Sequence, residues 1–567
     1  MSDWTFAGVW EQAAALFPEA CVAVHGDRRL SWADFDRRAD ALAAALVEHG
    51  LRPGAKVAQY LPNRPEYLES FYAACKVGLV PVNTNYRYLD DELVYLWDNA
   101  DVEAVVFDGQ YADVAERVRR RVPRVRAWFH VGAAGERPDW AMGYEDAADR
   151  HGVTVSGPVR SEDDLVLLYT GGTTGQPKGV MWRQADLLSM VNAMEPRALP
   201  DRATSDEIAA HFQSGRPGRR MAVACPLMHG TGLFFALSTL STGGCVITVP
   251  SARFDAEVLL DALEAEQAHA VVIVGDAFAR PMLDALDREP GRWPLANLRI
   301  VASSGAIWSE PVKRRLVERF PKMYLLDGLG SSEAGRIASS VTSAGEVAET
   351  ATFRALDSAA VILDDGSFAP PGSGQIGHLA ISGWVPLGYH KDEAKSAQAF
   401  REIGGRRWSI PGDLASIDAD GTIRLLGRGS TCINTAGEKV FPEEVEEALK
   451  SHPTVADAAV VGVPHERFGQ AIVAMVEAAA GSRPDPDELT NHVKGRLAGY
   501  KAPKLISVID SVGRAPNGKL DYRHLHAVAV SAWDASRTNE AQPHHPREAP
   551  RAGGTPAGMD LGKEHDE

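Results

Sequence analysis

Cysteine is scarce in this chain: five among 567 residues, Cys21, Cys75, Cys225, Cys245 and Cys432, with neither a CxxC pair nor zinc-ligand spacing. A disulfide framework and a structural zinc site are both disfavoured, and buried thiols are the ordinary expectation. Long apolar runs are absent too. Stretches such as Ala270 to Val274 end quickly at polar or glycine residues, far short of the roughly 18 to 20 apolar residues of a membrane-spanning helix. The N-terminal MSDWTFAGVWEQ lacks a basic start and an apolar middle, so a secretory signal is not indicated and a cytoplasmic location is expected. Basic charge is in the minority, with 59 Lys and Arg against 76 Asp and Glu and a net charge of -17. That balance argues against nucleic acid, whose backbone needs clustered cations. It does not exclude a small phosphorylated ligand, because oriented N–H groups act at short range while distant charges are screened. Neither GxxxxGK[ST] nor GxSxG occurs, which disfavours a P-loop ATPase and a nucleophile-elbow hydrolase.

What is present is an ordinary globular composition, 45% apolar and 24% charged, on a chain long enough for several units of about 100 to 200 residues. From Trp4 to about Asp108, helical stripes such as SWADFDRRADALAAALVEHG alternate with short apolar runs such as KVAQYL and EAVVFD. This alternation predicts an α/β domain. It recurs in VLLYT, AVVIVG and LRIVASSG, and ligands in such folds sit at strand ends. The Pro, Arg and Gly-rich segment between Glu195 and Arg220 predicts a surface loop. After Gly421 the texture changes: GTIRLLGRG reads as a strand pair, and PEEVEEALKSHP opens a helix with Pro442 first and two acids behind it. DAAVVGVP, AIVAMVEA and DPDELTNHVKGRLAGY complete a compact unit of roughly 100 residues. From about Ser531 the chain has no apolar periodicity and is expected to be disordered.

The stretch richest in chemistry is YTGGTTGQPKGVMWR, Tyr169 to Arg183, behind the apolar Leu165 to Leu168. Gly171, Gly172, Gly175 and Gly179 permit a tight loop with exposed N–H groups. Thr170, Thr173 and Thr174 add hydroxyls, and Lys178 adds a point charge. Such a loop can cradle phosphate. A generic Gly and Thr-rich loop is more often a plain surface turn, and it is the full string that is specific.

YTGGTTGQPKGV resembles the phosphate loop of the ANL superfamily of adenylating enzymes, which includes acyl-CoA synthetases, luciferases and peptide-synthetase adenylation domains. The family's other motifs follow in order: PLMHGTG at 226 to 232, SSGAIW at 303 to 308, DGLGSSEAG at 327 to 335, PGDLA at 411 to 415, GRGSTCINTAGEKVFPEEVE at 427 to 446 and PNGKLDY at 516 to 522. The resemblance implies an α/β fold: a large N-terminal adenylate-forming domain with α/β subdomains (1 to 427), a small mobile α+β C-terminal lid (428 to 530) and a disordered tail (531 to 567).

It also implies residue roles. Thr173 lies in the phosphate loop. Ser332 would meet the α-phosphate and Glu333 would hold Mg²⁺, whose hard charge suits one carboxylate plus phosphate oxygens. Gly305, Ala306 and Asp327 would border adenine, Asp413 would take the ribose hydroxyls and Arg428 would contact the nucleotide at the domain junction. Lys519 would be the catalytic lysine of adenylation, stabilising charge that builds on the transferring group. Ser430 falls at the hinge, and Asn434 and Gly437 fall on the face that reaches CoA in the second half-reaction. Leu329, Pro411 and Ser430 depart from the residues commonest at those places. His229, Gly232, Gly275, Asp276 and Phe278 are the candidates for an acyl tunnel.

As a whole the motifs look most like the acyl-CoA synthetase branch that acts on steroid side-chain carboxylates and medium or long fatty acids. ATP, Mg²⁺ and CoA are the expected cofactors and co-substrates, and a small carboxylic acid is the expected partner, with a homodimer left open. Two alternatives stand: an acyl-AMP ligase that loads a carrier protein, and a non-catalytic nucleotide-binding protein.

Overall fold

The computed structural model describes residues 4–88, 90–153, 155, 160–170, 176–251, 254–306, 308–428, 433–435, 438–465, 469–497, 499–515 and 520–540. Two large sheets and one small sheet carry the chain. In the first, strands Cys21–His25, Cys245–Thr248, Arg220–Val223, Ala270–Ile273, Ile300–Ser304 and Tyr324–Ser331 lie side by side and parallel. Strands covered on both faces read as unbroken apolar runs, and Ala270–Ile273 is buried at every position. At Gly335 the direction reverses. Gly335–Thr342 pairs antiparallel with Tyr324–Ser331, and Thr352–Ala355, Thr422–Arg428, Asp413–Ile417 and Gly377–Ser382 extend the sheet in the same manner.

The second sheet runs Gly388–Tyr389, Lys178–Arg183, Leu165–Thr170, Val80–Asn83, Lys56–Tyr60, Val102–Asp108, Ala127–Val131 and Met142–Gly143. One apolar core, including Trp4, Trp10, Phe35, Phe71 and Trp182, joins the helices between the two large sheets. Helix Trp32–Glu48 shows why these residues fold locally as they do. Ser31 caps it by accepting from Asp34 N at 3.1 Å, and Phe35, Ala39, Leu42 and Leu46 fall on its buried side. The third sheet comprises Glu438–Val440, Ile433–Thr435, Gly469–Ala478, Val455–His465 and Leu505–Ile509. Helices Pro442–Lys450 and Pro486–Lys494 pack on it, Val445, Leu449, Leu489 and Val493 sharing a core with Val460 and Ile472.

Three sequence expectations need correction. The segment between Glu195 and Arg220 is not only loop: it holds helix Ser205–Gln213, capped by Thr204 and Glu207 in a reciprocal capping box. Ile208 and Phe212 anchor the helix and are fully or nearly buried, with Phe212 5.7 Å from the Phe17 ring, each worth about 2 kcal/mol of apolar burial. GTIRLLGRG forms one strand, Thr422–Arg428, whose partners are Asp413–Ile417 and Thr352–Ala355. Helix Tyr522–Glu540 continues past Ser531, and Trp533 on it meets His465 at 5.8 Å. Residues 541–567 lie outside the described residues. Among the described residues no helix is long and apolar enough to cross a membrane.

Candidate active site

The phosphate-loop candidate joins two antiparallel strands, Leu165–Thr170 and Lys178–Arg183, with Thr170 opposite Lys178. Gly179 is required by packing, since a Cβ there would stand 2.7 Å from the Tyr169 ring. The end of the first strand is held by a residue the sequence reading did not single out. The buried Asn83 accepts from Tyr169 N at 2.5 Å and donates to Tyr169 O at 2.9 Å and to Met228 O at 2.7 Å. One amide thereby ties the mouth of the loop to the turn before helix Gly230–Ser241, which carries PLMHGTG.

Opposite lies the tip of the hairpin that reverses the first sheet. Gly330 lies so close to the Gly335 carbonyl that no side chain fits, and Gly335 takes φ +63. Ser332 and Glu333 sit at this tip, pinned from the second sheet and its neighbours. Trp182 Nε1 donates to Ser332 O at 2.9 Å, and Ser409 Oγ donates to Glu333 O at 2.6 Å. Tyr389 Oη donates to Glu333 Oε1 at 3.1 Å, while Lys178 Nζ lies 4.9 Å over the Tyr389 ring. Strand Gly388–Tyr389 pairs with Lys178–Arg183, so the residue that orients Glu333 belongs to the same sheet edge as the loop. Glycines bring the remaining edges close: a Cβ at Gly230 would be 3.2 Å from Ser332 Oγ, and one at Gly305, φ +89, would be 3.2 Å from Thr231 Oγ1. Ser331 Oγ is buried with no hydrogen-bond partner among the described residues, a polar atom left for a ligand.

Asp327 lies on the strand that leads into this tip, its carboxylate 3.6 Å from Lys313 Nζ in a buried pair. Burial pushes the Asp327 carboxyl up to about 7, and Lys313 only partly offsets this. Asp413 is buried at the start of its strand, with Arg428 as its register partner. Ala306 is half-buried against the main core. Leu329 turns into the core of the antiparallel half with Ala338, Phe353 and Leu379.

The acyl candidates separate. Gly232 is consumed by packing, since a Cβ there would lie 2.4 Å from Pro226 O. Gly275, φ +51, opens helix Gly275–Arg288 and donates its N–H to Ser303 Oγ at 2.8 Å. Asp276 has its carboxylate occupied by Ser309 N at 2.9 Å, Ser309 Oγ at 2.7 Å and Arg280, the pattern of a structural tie. His229 precedes helix Gly230–Ser241 and is half-buried. Phe278 lines a cavity. With Phe254 at 4.3 Å it walls a space of about 250 Å³ whose rim carries Arg64, Asp108 and Arg87. Pro226 also lines that cavity, and its carbonyl accepts from His229 N at 3.1 Å, one turn away.

Gly171, Gly172, Thr173, Thr174, Gly175, Ser430, Gly437 and Lys519 lie outside the described residues, as do the side chains of Arg428 and Asn434. Among the described residues no cluster of three His, Cys, Asp or Glu side chains forms a metal cage. The single carboxylate of Glu333, oriented by Tyr389 Oη, is of the kind Mg²⁺ takes alongside phosphate oxygens.

Residues 10–390 match the profile of the AMP-binding enzyme family, and residues 444–519 match the AMP-binding enzyme C-terminal domain. The chain is 36% identical over 546 residues to the medium/long-chain-fatty-acid-CoA/3-oxocholest-4-en-26-oate-CoA ligase of Mycobacterium marinum, covering 93% of this chain and 99% of that protein. It is 38% identical over 525 residues to the 3-oxocholest-4-en-26-oate-CoA ligase of Rhodococcus rhodochrous, covering 91% of this chain and 94% of that protein. Its fold matches ATP-bound MatB from Rhodopseudomonas palustris with a TM-score of 0.76 at 26% identity, over 92% of this chain and 98% of that one. With both family profiles matched, and with the Leu165–Thr170 and Lys178–Arg183 strands joined through Tyr389 to an acid-bearing tip, this protein belongs to the ANL family of AMP-binding, adenylate-forming enzymes.

Proposed function

We propose that the chain is an ATP-dependent acyl-CoA synthetase that converts a carboxylic acid, ATP and CoA into acyl-CoA, AMP and pyrophosphate through an acyl-adenylate. The observation that carries this reading is the junction of the Leu165–Arg183 hairpin with the Ser332–Glu333 tip through Tyr389. A free carboxylate is a poor electrophile, and joining it to AMP supplies a good leaving group. The CoA thiol then attacks the anhydride, so no enzyme cysteine is needed.

Thr170, Gly171, Gly172, Thr173, Thr174 and Gly175 cradle the β- and γ-phosphates with hydroxyls and N–H groups, and Lys178 supplies a nearby charge. Ser332 Oγ holds the α-phosphate. Glu333 would hold Mg²⁺, which when bound neutralises phosphate charge. Gly305, Ala306 and Asp327 border the base, and Asp413 binds the ribose. Lys519 delivers its ammonium to the transferring group in the first half-reaction. It withdraws when the lid, hinged at Ser430, brings Asn434 and Gly437 toward CoA. The acid we assign is a medium or long fatty acid or a steroid side-chain carboxylate, an assignment supported by the names of the two relatives. The cavity beside Phe278 shares Pro226 with the His229 turn, which puts the apolar Phe254–Phe278 wall near the proposed acyl entrance. A cytoplasmic enzyme fits this reaction.

The reading is tested by a CoA-ligation screen over fatty and steroid carboxylic acids, together with Lys519→Ala. The variant should lose nearly all acid-dependent pyrophosphate release yet keep most thioester formation from supplied acyl-AMP. Equal loss in both halves refutes the division of labour, and pyrophosphate release with no CoA thioester points instead to an acyl-AMP ligase.

A further inference from the structure

Far from the Ser332–Glu333 tip, where strands Cys21–His25 and Cys245–Thr248 run parallel, two thiols meet: Cys21 Sγ and Cys245 Sγ are 3.6 Å apart across 224 residues of chain. Cys75 and Cys225 are wholly buried and Cys245 nearly so, whereas Cys21 is only half-buried. Beside the pair stands Arg220, the strand partner of Cys245. Its guanidinium donates to Glu266 Oε2 at 2.5 Å and to Glu266 O at 2.7 Å, and its charge acts on the Cys21 thiol. The proposed ligase chemistry uses none of these groups.

We propose that Cys21 and Cys245 form a reversible thiol–disulfide site, with Cys21 as the peroxide-reactive thiol, Arg220 as its activating cation and Cys245 as the resolving thiol. The Cys245 hydrogen bond and the Arg220 charge lower the Cys21 thiol against the opposing effect of burial, whereas the same contact and burial drive Cys245 upward. Cys21, the more exposed of the two, is therefore the thiol that gives up its proton more readily, and Cys245 the one that keeps it.

With a hydroperoxide as oxidant, the Cys21 thiolate attacks one peroxide oxygen, the O–O bond breaks, and hydroxide leaves and takes up a proton as water. The Cys21 sulfenic acid is then attacked by Cys245 sulfur: the S–S bond forms, the S–O bond breaks, and the Cys245 proton leaves with the oxygen as a second water. Two thiols and one peroxide give one disulfide and two waters. The sulfurs must close to about 2 Å, which side-chain rotation on adjacent strands can supply.

Purified full-length protein treated with an equivalent of hydrogen peroxide at pH 7, blocked with N-ethylmaleimide and digested without reduction should yield one peptide pair joined through Cys21 and Cys245. Dithiothreitol should restore both thiols. In Cys245→Ser the same treatment should leave a sulfenic acid at Cys21 that dimedone captures. Arg220→Met should slow alkylation of Cys21 by iodoacetamide about threefold, because the lost thiolate fraction is partly offset by a more nucleophilic sulfur. Circular dichroism shows whether each variant folds, and Cys245→Ala provides a second resolving-thiol variant if the serine does not. The proposal is overturned if wild-type Cys21 stays reduced, if it proceeds to sulfinic acid while Cys245 remains a free thiol, or if Cys21 alkylates no faster than the buried Cys75.

Discussion

Replacing Asn83 tests whether the phosphate loop is positioned from outside its own sequence. The Asn83 amide makes three short hydrogen bonds, to Tyr169 N, Tyr169 O and Met228 O, and its side chain is buried. At about 1 kcal/mol net for each bond, plus the cost of leaving buried main-chain groups unpaired, Asn83→Ala should cost about 3 to 5 kcal/mol. Asn83→Asp is the sharper probe. It keeps the shape and the acceptor for Tyr169 N but turns an oxygen toward two carbonyls, so at neutral pH it should be no more stable than the alanine variant. It should regain stability as pH falls, because a protonated carboxyl can donate to one of those carbonyls. Denaturant unfolding across pH, followed by circular dichroism, gives the energies, and hydrogen exchange at Tyr169 N reports the local bond. In the proposed function Thr170 opens the phosphate loop, so the KM for ATP should rise about tenfold, for a loss of about 1.4 kcal/mol in binding. If Asn83→Ala unfolds within about 1 kcal/mol of wild type and Tyr169 N exchanges no faster, the loop is held by other means and the reasoning is wrong.

Tyr389→Phe removes the hydroxyl that reaches Glu333 but keeps the ring under Lys178. Pyrophosphate release should then need about tenfold more Mg²⁺-ATP, as expected for losing a bond to a charged group, and a Tyr389→Phe variant indistinguishable from wild type would show that the hydroxyl has no role at Glu333. Gly232→Ala should destabilise the chain, because a methyl would collide with Pro226 O; a thermal midpoint unchanged from wild type would refute that packing. Asp327, raised to about 7 from 3.8, keeps its proton in the folded chain over a pH range where the unfolded chain has lost it. Its contribution to stability is therefore greatest in acid and declines as pH rises from about 4 through 7, by about 4 kcal/mol at most. Asp327→Asn removes that slope, so the stability difference between wild type and variant should shift with pH in that window, and a pH-independent difference would contradict the buried titration.

The elements that the sequence announced are those whose cause is local. Helix Trp32–Glu48 follows from apolar spacing behind a capping Ser31, and strand Ala270–Ile273 follows from an unbroken apolar run with three β-branched residues. Helix Ser205–Gln213 was hidden because Pro, Arg and Gly surround it and only Ile208 and Phe212 are buried. Its signal was nevertheless present in Thr204 and Glu207, three residues apart. The site divides in the same way. The order of motifs was readable because each is contiguous. The contacts that fix their geometry were not: Asn83 with Met228 spans 145 positions, Tyr389 with Glu333 spans 56 and Trp182 with Ser332 spans 150. Asp276 shows the converse. Its place in a motif suggested contact with the acyl group, while Ser309 and Arg280 occupy its oxygens.

Leu329 shows how one departure from the family pattern is absorbed. On its strand it follows Asp327 at the two-residue spacing that puts both on one face, and it packs with Ala338, Phe353 and Leu379 where the sheet turns antiparallel. A leucine there buries an apolar side chain without a hydroxyl that would need a partner. It therefore anchors the hairpin whose tip carries Ser332 and Glu333, at the cost of a flat ring against which adenine could stack. In the proposed reading, binding of the nucleotide then leans on what surrounds that position: glycine-permitted close approach at Gly305, the buried Asp327 carboxyl, and a tip pinned through Trp182, Ser409 and Tyr389. Pinned donors and acceptors lose little conformational freedom when a ligand arrives, so a rigid tip can offset a weaker stack in the binding free energy.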